Sequence, residues 1–281
     1  MRTIVRITVL EASRRRLLWA LLGLTILTVA LTGWGFERLV TLARGNHVNE
    51  LELTLGLSQT VILVAFMFSF VLAMTAAFMA APALASDIDS GVAQALLARP
   101  ITRLDLLLGK WLGLSIVIAV YAVGSGLLEL VVVRFITGYA APNPVVAVAF
   151  LAAEAIVLLT VALALGSRLP AIASGAIVVV IYGLTWIAGV LGGIGAFFGT
   201  PALVQAADIS RLIFPVDGLW RGAVFSLEPP AVLAVVAAES RFQGNPFLAT
   251  EPPSLIYLAW SILWVVGVLA VGTWLLNRRE I

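Results

Sequence analysis

Residues 86–110, SDIDSGVAQALLARPITRLDLLLGK, form a polar interruption between two long apolar stretches. A helix-sized piece at residues 91–98 follows Asp87 and Asp89 and precedes Arg99 and Pro100. Acidic residues suit the N-terminus of a helix, basic residues suit its C-terminus, and proline ends a helix at the residue before it. Thr102, with an acid three residues later, predicts a capping box at the start of the next helix. The pattern predicts a helix leaving a membrane, a short surface helix, a sharp turn and a returning helix.

The composition is typical of a polytopic membrane protein. Of the 281 residues, 62% are hydrophobic and 11% are charged, and the mean hydropathy is +1.10. A soluble domain of this size would need more polar surface. A net charge of +2 argues against nucleic-acid binding through bulk electrostatics. The sequence has no cysteine, so disulfide and thiol sites are excluded. It has one histidine, His47, which does not form the ligand pattern of a zinc site.

Six apolar segments are long enough to cross a bilayer, which predicts an all-α fold. The predicted spans are residues 17–34, 56–85, 106–133, 145–165, 171–198 and 255–276. Residues 1–16 predict a basic interfacial helix, or alternatively a plain positive flank of the first span. Residues 36–55 predict a polar outer loop. Residues 199–254, where prolines bound apolar pieces too short to cross, predict an outer loop with short interfacial or re-entrant helices.

Lysine and arginine set the predicted orientation. Eleven of the 17 basic residues fall on the side of the termini and of residues 86–105, and three of the other six lie in the long last loop. Basic residues accumulate in short cytoplasmic loops. The distribution therefore predicts a multi-pass protein of the cytoplasmic membrane with both termini inside.

Within the predicted spans, glycine pairs and acids carry the main structural hypotheses. Close helix packing is predicted at two pairs of glycines, Gly109 with Gly113 and Gly189 with Gly193. Glu129 and Glu154 are costly to bury and should face the bundle interior or an aqueous cavity. Two interpretations stay open: the acids line a substrate path, or one of them forms a structural pair, for which the available partner is Arg134.

Catalytic motifs are missing from the sequence. Gly109-Lys110 is followed by Trp111 and lacks the upstream glycine of a phosphate-binding loop. The zinc-hydrolase and serine-hydrolase motifs are also missing, and no nucleophile has an evident base. The chain is therefore not expected to be an enzyme or to hold a cofactor. If it performs active transport, a separate chain must supply ATP hydrolysis.

Three places resemble ABC-2-type transporter permeases. The acid-x-Gly sequence, Leu97, Pro100, Arg103 and the Leu-Leu-Gly-Lys run ending at Lys110 resemble the cytoplasmic coupling segment of that family. Glu11 followed by three arginines before the first span is similar to the usual N-terminus. Within the family, one subgroup serves nitrous-oxide-reductase maturation, and its element between the last two spans is similar to Pro215, Asp217 and Arg221. In this sequence Asp217 is expected to cap a short helix and to pair with Arg221 four residues later.

The resemblance implies a permease subunit of an ATP-driven transporter that exports or extracts its substrate. Its partners would be a second permease chain, the same or different, and two ATPase subunits that bind ATP and Mg²⁺. An extracytoplasmic partner is also compatible. The implied ATPase-coupling residues are Asp87, Asp89, Gly91, Leu96, Leu97, Arg99, Pro100 and Arg103. In that assignment the leucines supply apolar contact, and the arginines pair with acids of the ATPase. Gly91, which has no side chain, permits a close approach to the ATPase.

The rival hypotheses are a secondary transporter without an ATPase and a structural subunit of a larger complex. A secondary transporter usually shows an internal repeat with matching broken helices, which the hydropathy of this chain lacks. A passive anchor does not require the tight framing of residues 91–98, although an ordinary solvated loop stays the alternative for that segment.

Overall fold

The computed structural model describes residues 1–14, 16–98, 101–238, 245 and 247–279. All regular structure in that part of the chain is helical, which confirms the predicted all-α fold. The helices are α1 (Arg2–Arg14), α2 (Arg16–Gly45), α3 (Glu50–Asp89), α4 (Val92–Leu97), α5 (Arg103–Thr137), α6 (Pro144–Gly166), α7 (Ala171–Phe197), α8 (Pro201–Ile213), α9 (Val216–Leu227), α10 (Pro230–Ala238) and α11 (Leu255–Asn277).

Six helices within the described part are long and apolar enough to cross a membrane, namely α2, α3, α5, α6, α7 and α11. The predicted number of spans is therefore confirmed. The helices are longer than the predicted spans, most clearly α3 with its 40 residues. At 1.5 Å per residue it is about 60 Å long, roughly twice the thickness of the hydrocarbon core. α3 therefore extends well beyond the apolar layer.

The prediction of a polar loop over residues 36–55 is wrong. Helix α2 continues to Gly45, and α3 begins at Glu50, where the Asn49 side chain accepts a hydrogen bond from the Glu52 backbone N–H at 2.8 Å. Only residues 46–49 connect them. Hydropathy marks where a chain leaves the apolar layer, whereas glutamate and arginine favour continuation of the helix in water.

Helix α6 forms the centre of the bundle. In the most apolar stretch of 18 residues in α6, 67% of the residues are buried, against 17% in the corresponding stretches of α2 and α11. It packs against α3, α5 and α9, and its Leu158, Leu159 and Leu163 are fully buried. Consequently α2 and α11 lie at the periphery, with large apolar side chains on the outside of the bundle.

The N-terminal helix α1 packs on α5 at two glycines. A Cβ atom at Gly109 would lie 2.7 Å from Ile4 Cγ2, and one at Gly113 would lie 2.8 Å from Thr8 Cβ. Any side chain at either position would displace α1. The predicted close packing at this pair is confirmed, and the packed partner is α1. Its location at a membrane interface stays a prediction.

The N-terminus, Arg279 and α4 lie at one end of the bundle, which we call the α4 end. The Met1 amino group lies 3.9 Å from Asp105 Oδ1, and Arg279 near the C-terminus donates to the carbonyl of Ser167 in the α6–α7 turn. The opposite end, which holds residues 46–49 and 138–143, is called the distal end.

Helices α8 and α9 form a hairpin beside α6, α7 and α11. A Cβ atom at Gly195 of α7 would lie 2.6 Å from Leu203 Cβ, and Gly222 of α9 lies against the Phe150 ring of α6. At the bend, the Phe214 ring packs against Trp264, with 5.7 Å between centroids. Trp264 is the tenth residue of α11, so the bend lies about 14 Å from its distal end. That this hairpin enters the membrane from outside stays a prediction.

Candidate functional site

A left-handed turn sets α4 apart from α3. Ser90 caps α3, and Gly91 follows with φ +76°. Glycine adopts this region readily because it has no Cβ atom. The turn itself therefore requires Gly91, whereas a close approach to a partner at this position stays a prediction.

The predicted capping box is confirmed at the start of α5. Thr102 Oγ1 accepts a hydrogen bond from the Asp105 backbone N–H at 3.0 Å, and Asp105 Oδ2 accepts one from the Thr102 N–H at 3.3 Å. Two backbone donors that the helix cannot satisfy are thus paired. The capping box fixes the point at which the chain returns to the bundle.

Asp87 and Asp89 lie in the last turn of α3 rather than at the start of α4. The prediction that they favour the N-terminus of α4 is therefore wrong, because α3 continues further than hydropathy indicates. Acids at a helix C-terminus are unfavourable unless they are paired. Asp87 forms an ion pair with Lys110, which is 4% exposed and also donates to the Ala83 carbonyl oxygen at 2.5 Å. Asp87 thus faces the protein interior.

Arg103 is engaged within its own chain, and its expected pairing with an acid of an ATPase stays a prediction. Its side chain is placed beside the end of α11, where basic groups are favourable. Three carbonyl oxygens, those of Leu276 (2.6 Å), Asn277 (2.9 Å) and Arg279 (2.9 Å), surround Nη1 and share its two N–H groups. The interaction joins the first residue of α5 to the C-terminus of α11, a relationship that no local sequence pattern indicates.

Arg279 extends this connection to two other elements. Its Nη1 donates to the Ser167 carbonyl oxygen at 2.9 Å, and its Nη2 lies 3.8 Å from Asp89 Oδ1. The C-terminal segment therefore links α3, α5 and the α6–α7 turn.

The outward surface of α4 differs from the predicted one. Ala93 is fully buried, and Leu96 is partly buried against the core of its own chain, so Leu96 is not a free apolar contact. The Leu97 side chain, Arg99 and Pro100 lie outside the described residues. Val92 is 47% exposed. The exposed positions are Val92, Gln94, Ala95 and Ala98.

Glu154 belongs to a buried hydrogen-bonded group formed by three helices. Ser69 of α3 donates to Glu154 Oε2 at 2.9 Å, and the Tyr182 hydroxyl of α7 lies 3.2 Å from Ser69 Oγ. All three side chains are buried. The acid faces the bundle interior, as predicted for a charged residue in a span.

Glu129 lines a cavity of about 160 Å³ between α2, α3, α5 and α6. The Thr32 hydroxyl of α2 donates to its carboxylate, and Thr25 pairs with the Tyr121 hydroxyl at 2.9 Å in the wall. The cavity is mainly apolar. Its use as part of a substrate path stays a prediction.

The alternative of a structural pair with Arg134 is wrong. Within the described residues, exposed Arg134 forms no ion pair with Glu129 or Glu154. Arg134 follows Glu129 by five residues, which places the two side chains roughly 140° apart around α5. The sequence contained this information, because helical periodicity separates the two faces.

Asp217 holds two arginines at the bend of the hairpin. Its Oδ2 lies 2.7 Å from Arg211 Nε and 3.3 Å from Arg221 Nε, and Arg211 also pairs with Asp208. The predicted pair with Arg221 is confirmed. Asp217 does not cap the helix as predicted, since Pro215 is the N-cap and α9 begins at Val216.

Glu154 and Asp217 lie on the wall of one small cavity. Its volume is about 10 Å³, enough for about one water molecule, and Thr185 and Trp186 also line it. The Trp186 indole N–H has no partner within the described residues. The structure therefore brings together two residues that the sequence placed in separate hypotheses.

Sequence analysis missed a buried acid near the distal end. Glu228 follows α9, is 1% exposed, and neither carboxylate oxygen has a hydrogen-bond partner in the described structure. Burial raises the pKa of its carboxyl group to about 8, and the Ala249 backbone, which does not reach hydrogen-bonding geometry, offsets this only in part. Nearby, Tyr139 donates to the Leu227 carbonyl at 2.7 Å, and burial raises its pKa to about 12.

Comparison with known families agrees with this architecture. The sequence profile described as ABC-2 family transporter protein matches residues 2–281. The chain belongs to the ABC-2 transporter family. No individual curated protein matches the sequence.

Membership of the ABC-2 family establishes the general role of the chain. ABC-2 permeases are multi-pass membrane components of ABC transporters, are not themselves catalytic, and work with ATPase subunits. The six apolar helices agree with that role. Membership of the subgroup of nitrous-oxide-reductase maturation stays a prediction.

Proposed function

We propose that this ABC-2 permease subunit is driven by a separate ATPase subunit that docks on α4. The observation that carries the proposal is that α4 is packed on the bundle along one side and exposed along the other. Ala93 is fully buried and Leu96 packs against the core, whereas Val92 and Ala95 stay exposed. A helix packed in this way can transmit the movement of a bound partner to the bundle.

The contacts around α4 provide a route from the docking surface into the bundle. Asp87 and Lys110 join α3 to α5, and Arg103 joins α5 to α11. Helix α3 supplies Ser69 to the Glu154 group, and α5 supplies Glu129 to the larger cavity. Closure of the ATPase would shift these helices together, because an effector acts through the packed element that it biases.

The proposal includes an orientation and an assembly. The α4 end lies in the cytoplasm, two permease chains form the pathway, and the ATPase subunits bind ATP and Mg²⁺. The excess of basic residues at the α4 end supports this orientation. The substrate leaves the inner leaflet or the cytoplasm by export or extraction. The distal end is then free for an extracytoplasmic partner.

Co-purification of the ATPase subunit with the tagged chain tests the docking step. Val92→Asp with Ala95→Asp should abolish or strongly weaken co-purification, because two charges would replace the exposed apolar contact. Val48→Asp is the matched control, since Val48 is 39% exposed at the distal end. Equal ATPase recovery with the folded α4 variant would contradict docking on α4, whereas failure to recover an ATPase with the unmodified chain would favour a transporter or scaffold without an ATPase.

Cysteine labelling in intact cells tests the orientation separately. Asn46→Cys should react with an impermeant reagent, and Ser90→Cys should react only after the membrane is opened. Both side chains are exposed, so accessibility within the protein does not limit either reaction. The reverse pattern would place α4 outside and exclude a cytoplasmic ATPase at that surface.

A further inference from the structure

A long apolar groove lies between α5, α6 and α11. Its volume is about 1140 Å³. Along α11 it extends from Leu258 to Asn277, which corresponds to about 28 Å at 1.5 Å per residue. This length is close to the roughly 30 Å thickness of a hydrocarbon core. The groove is thus long enough to receive acyl chains from either leaflet.

An exposed arginine, Arg278, lies at the α4 end of this groove. The Arg278 guanidinium is 4.2 Å from the centroid of the Trp274 ring, and Trp274 lines the groove. Among the described residues Arg278 has no acidic partner, whereas neighbouring Arg103 and Arg279 are engaged with carbonyl groups. Tryptophan and arginine at a helix end are typical of the level of the lipid headgroups.

We propose that the half of the groove nearest α4 binds an anionic phospholipid. One acyl chain lies along Leu108, Trp111, Ala270 and Thr273, and the phosphate contacts Arg278. One leaflet contributes about 15 Å of hydrocarbon, which matches the distance along α11 from Asn277 to about Val266. Basic groups beside apolar helix surfaces recognise anionic headgroups by charge and hydrogen bonding.

The lining of the groove favours a lipid over a transmembrane helix of a second copy. Close helix packing in membranes usually requires small residues at the contact. This wall is dominated by branched and aromatic side chains, including Ile156, Ile262, Val265 and Trp111. A flexible acyl chain can follow such a surface. The exposed guanidinium of Arg278 beside the Trp274 ring suits a phosphate, whereas an apolar helix would offer it no charge of opposite sign.

Native mass spectrometry of the purified full chain can test this site. The probes are phosphatidylglycerol and phosphatidylcholine with identical acyl chains, titrated at equal concentrations. The unmodified chain should retain phosphatidylglycerol several-fold better than phosphatidylcholine. Arg278→Gln should remove that preference, and Ala270→Trp, which fills the groove from an exposed position, should reduce binding of both lipids. Arg38→Gln is the matched control, since Arg38 lies 6.0 Å from the Trp34 ring on α2.

Two outcomes would overturn the proposal. If Arg278→Gln and Ala270→Trp both bound the two lipids as the unmodified chain does, the retained lipid would bind elsewhere. Loss of chain dimerisation in Ala270→Trp, with lipid binding intact, would assign the groove to a second copy. A thermal unfolding midpoint close to that of the unmodified chain would establish that each variant is folded. The proposal does not depend on docking of the ATPase, so either can fail independently.

Discussion

The Lys110 ammonium and the Asp87 carboxylate form an ion pair between α5 and the last turn of α3. Lys110 is buried two turns into α5, and its second acceptor is the Ala83 carbonyl of α3. The two long helices on either side of α4 are therefore joined directly below it. A displacement of the end of α3 must therefore move α5 as well or break this pair.

Breaking that pair should destabilise the protein. Lys110→Met is expected to lower the free energy of unfolding by about 3 kcal/mol, because a largely buried carboxylate loses its partner. Adding Asp87→Asn should recover part of the loss. Asp89→Asn is the control, since its pair with Arg279 spans 3.8 Å, its side chain is 67% exposed, and exposed pairs contribute at most about 1 kcal/mol. Denaturation in detergent measures the free energy of unfolding of each variant. Equally small losses of stability in Lys110→Met and Asp89→Asn would contradict the account.

Attachment of α1 should depend on the two glycines of α5. Gly113→Leu is expected to displace α1, because even a Cβ atom would lie 2.8 Å from Thr8 Cβ and 3.1 Å from the Val5 carbonyl oxygen. The measurement is the labelling rate of Thr8→Cys, a buried position that should become reactive. Gly124→Leu is the control on the same helix, since a Cβ atom there would have no neighbour within 4 Å. Slow labelling in the Gly113→Leu background would contradict the packing described.

Local and periodic features of this fold could be predicted from the sequence. Thr102 and Asp105 are three residues apart, and a capping box requires only that spacing. Gly109 and Gly113 share one face of a helix, which indicates a close contact without naming the partner. The six spans follow from length and apolar composition.

Long-range partners could not be predicted in the same way. Hydropathy assigns Asp87 to the wrong helix because polar residues continue α3 beyond its apolar part. Arg103 binds carbonyl groups more than 170 residues away, and Arg211 reaches Asp217 across the bend of the hairpin. Such contacts depend on how helices are arranged in space. Arg134 is different, since its position around α5 already separates it from Glu129.

Ser69 should contribute to stability through Glu154, and Arg134 should not. Ser69→Ala removes the donor to the buried carboxylate and is expected to cost about 1–3 kcal/mol. Arg134→Gln changes an exposed side chain and should stay within about 0.5 kcal/mol. Thermal or denaturant unfolding of both variants and their combination gives the comparison. Non-additive losses in the double variant would indicate the coupling between Arg134 and Glu154 that the structure lacks.

Stability of the distal region should fall as pH rises from about 5 to 8. Burial raises the pKa of Glu228 in the folded chain from 4.5 to about 8. Between these values the folded carboxyl keeps its proton and the unfolded one loses it, so stability falls by at most about 1.4 kcal/mol per pH unit. Glu228→Gln should remove this slope, and Glu251→Gln, at an exposed position, should retain it. Hydrogen exchange at α9 and α10 measures the local stability at each pH. The same dependence of stability on pH in the unmodified chain and in both variants would contradict the prediction.

The most direct test of the central claim is site-specific photo-crosslinking from α4 to the ATPase subunit. A photoreactive amino acid is placed at Val92 or, as the control, at Val48 at the distal end, and the chain is assembled with the ATPase in membranes. The account predicts a crosslink to the ATPase from Val92 and none from Val48. Efficient crosslinking from Val48 with none from Val92, in an assembled complex, would contradict docking on α4.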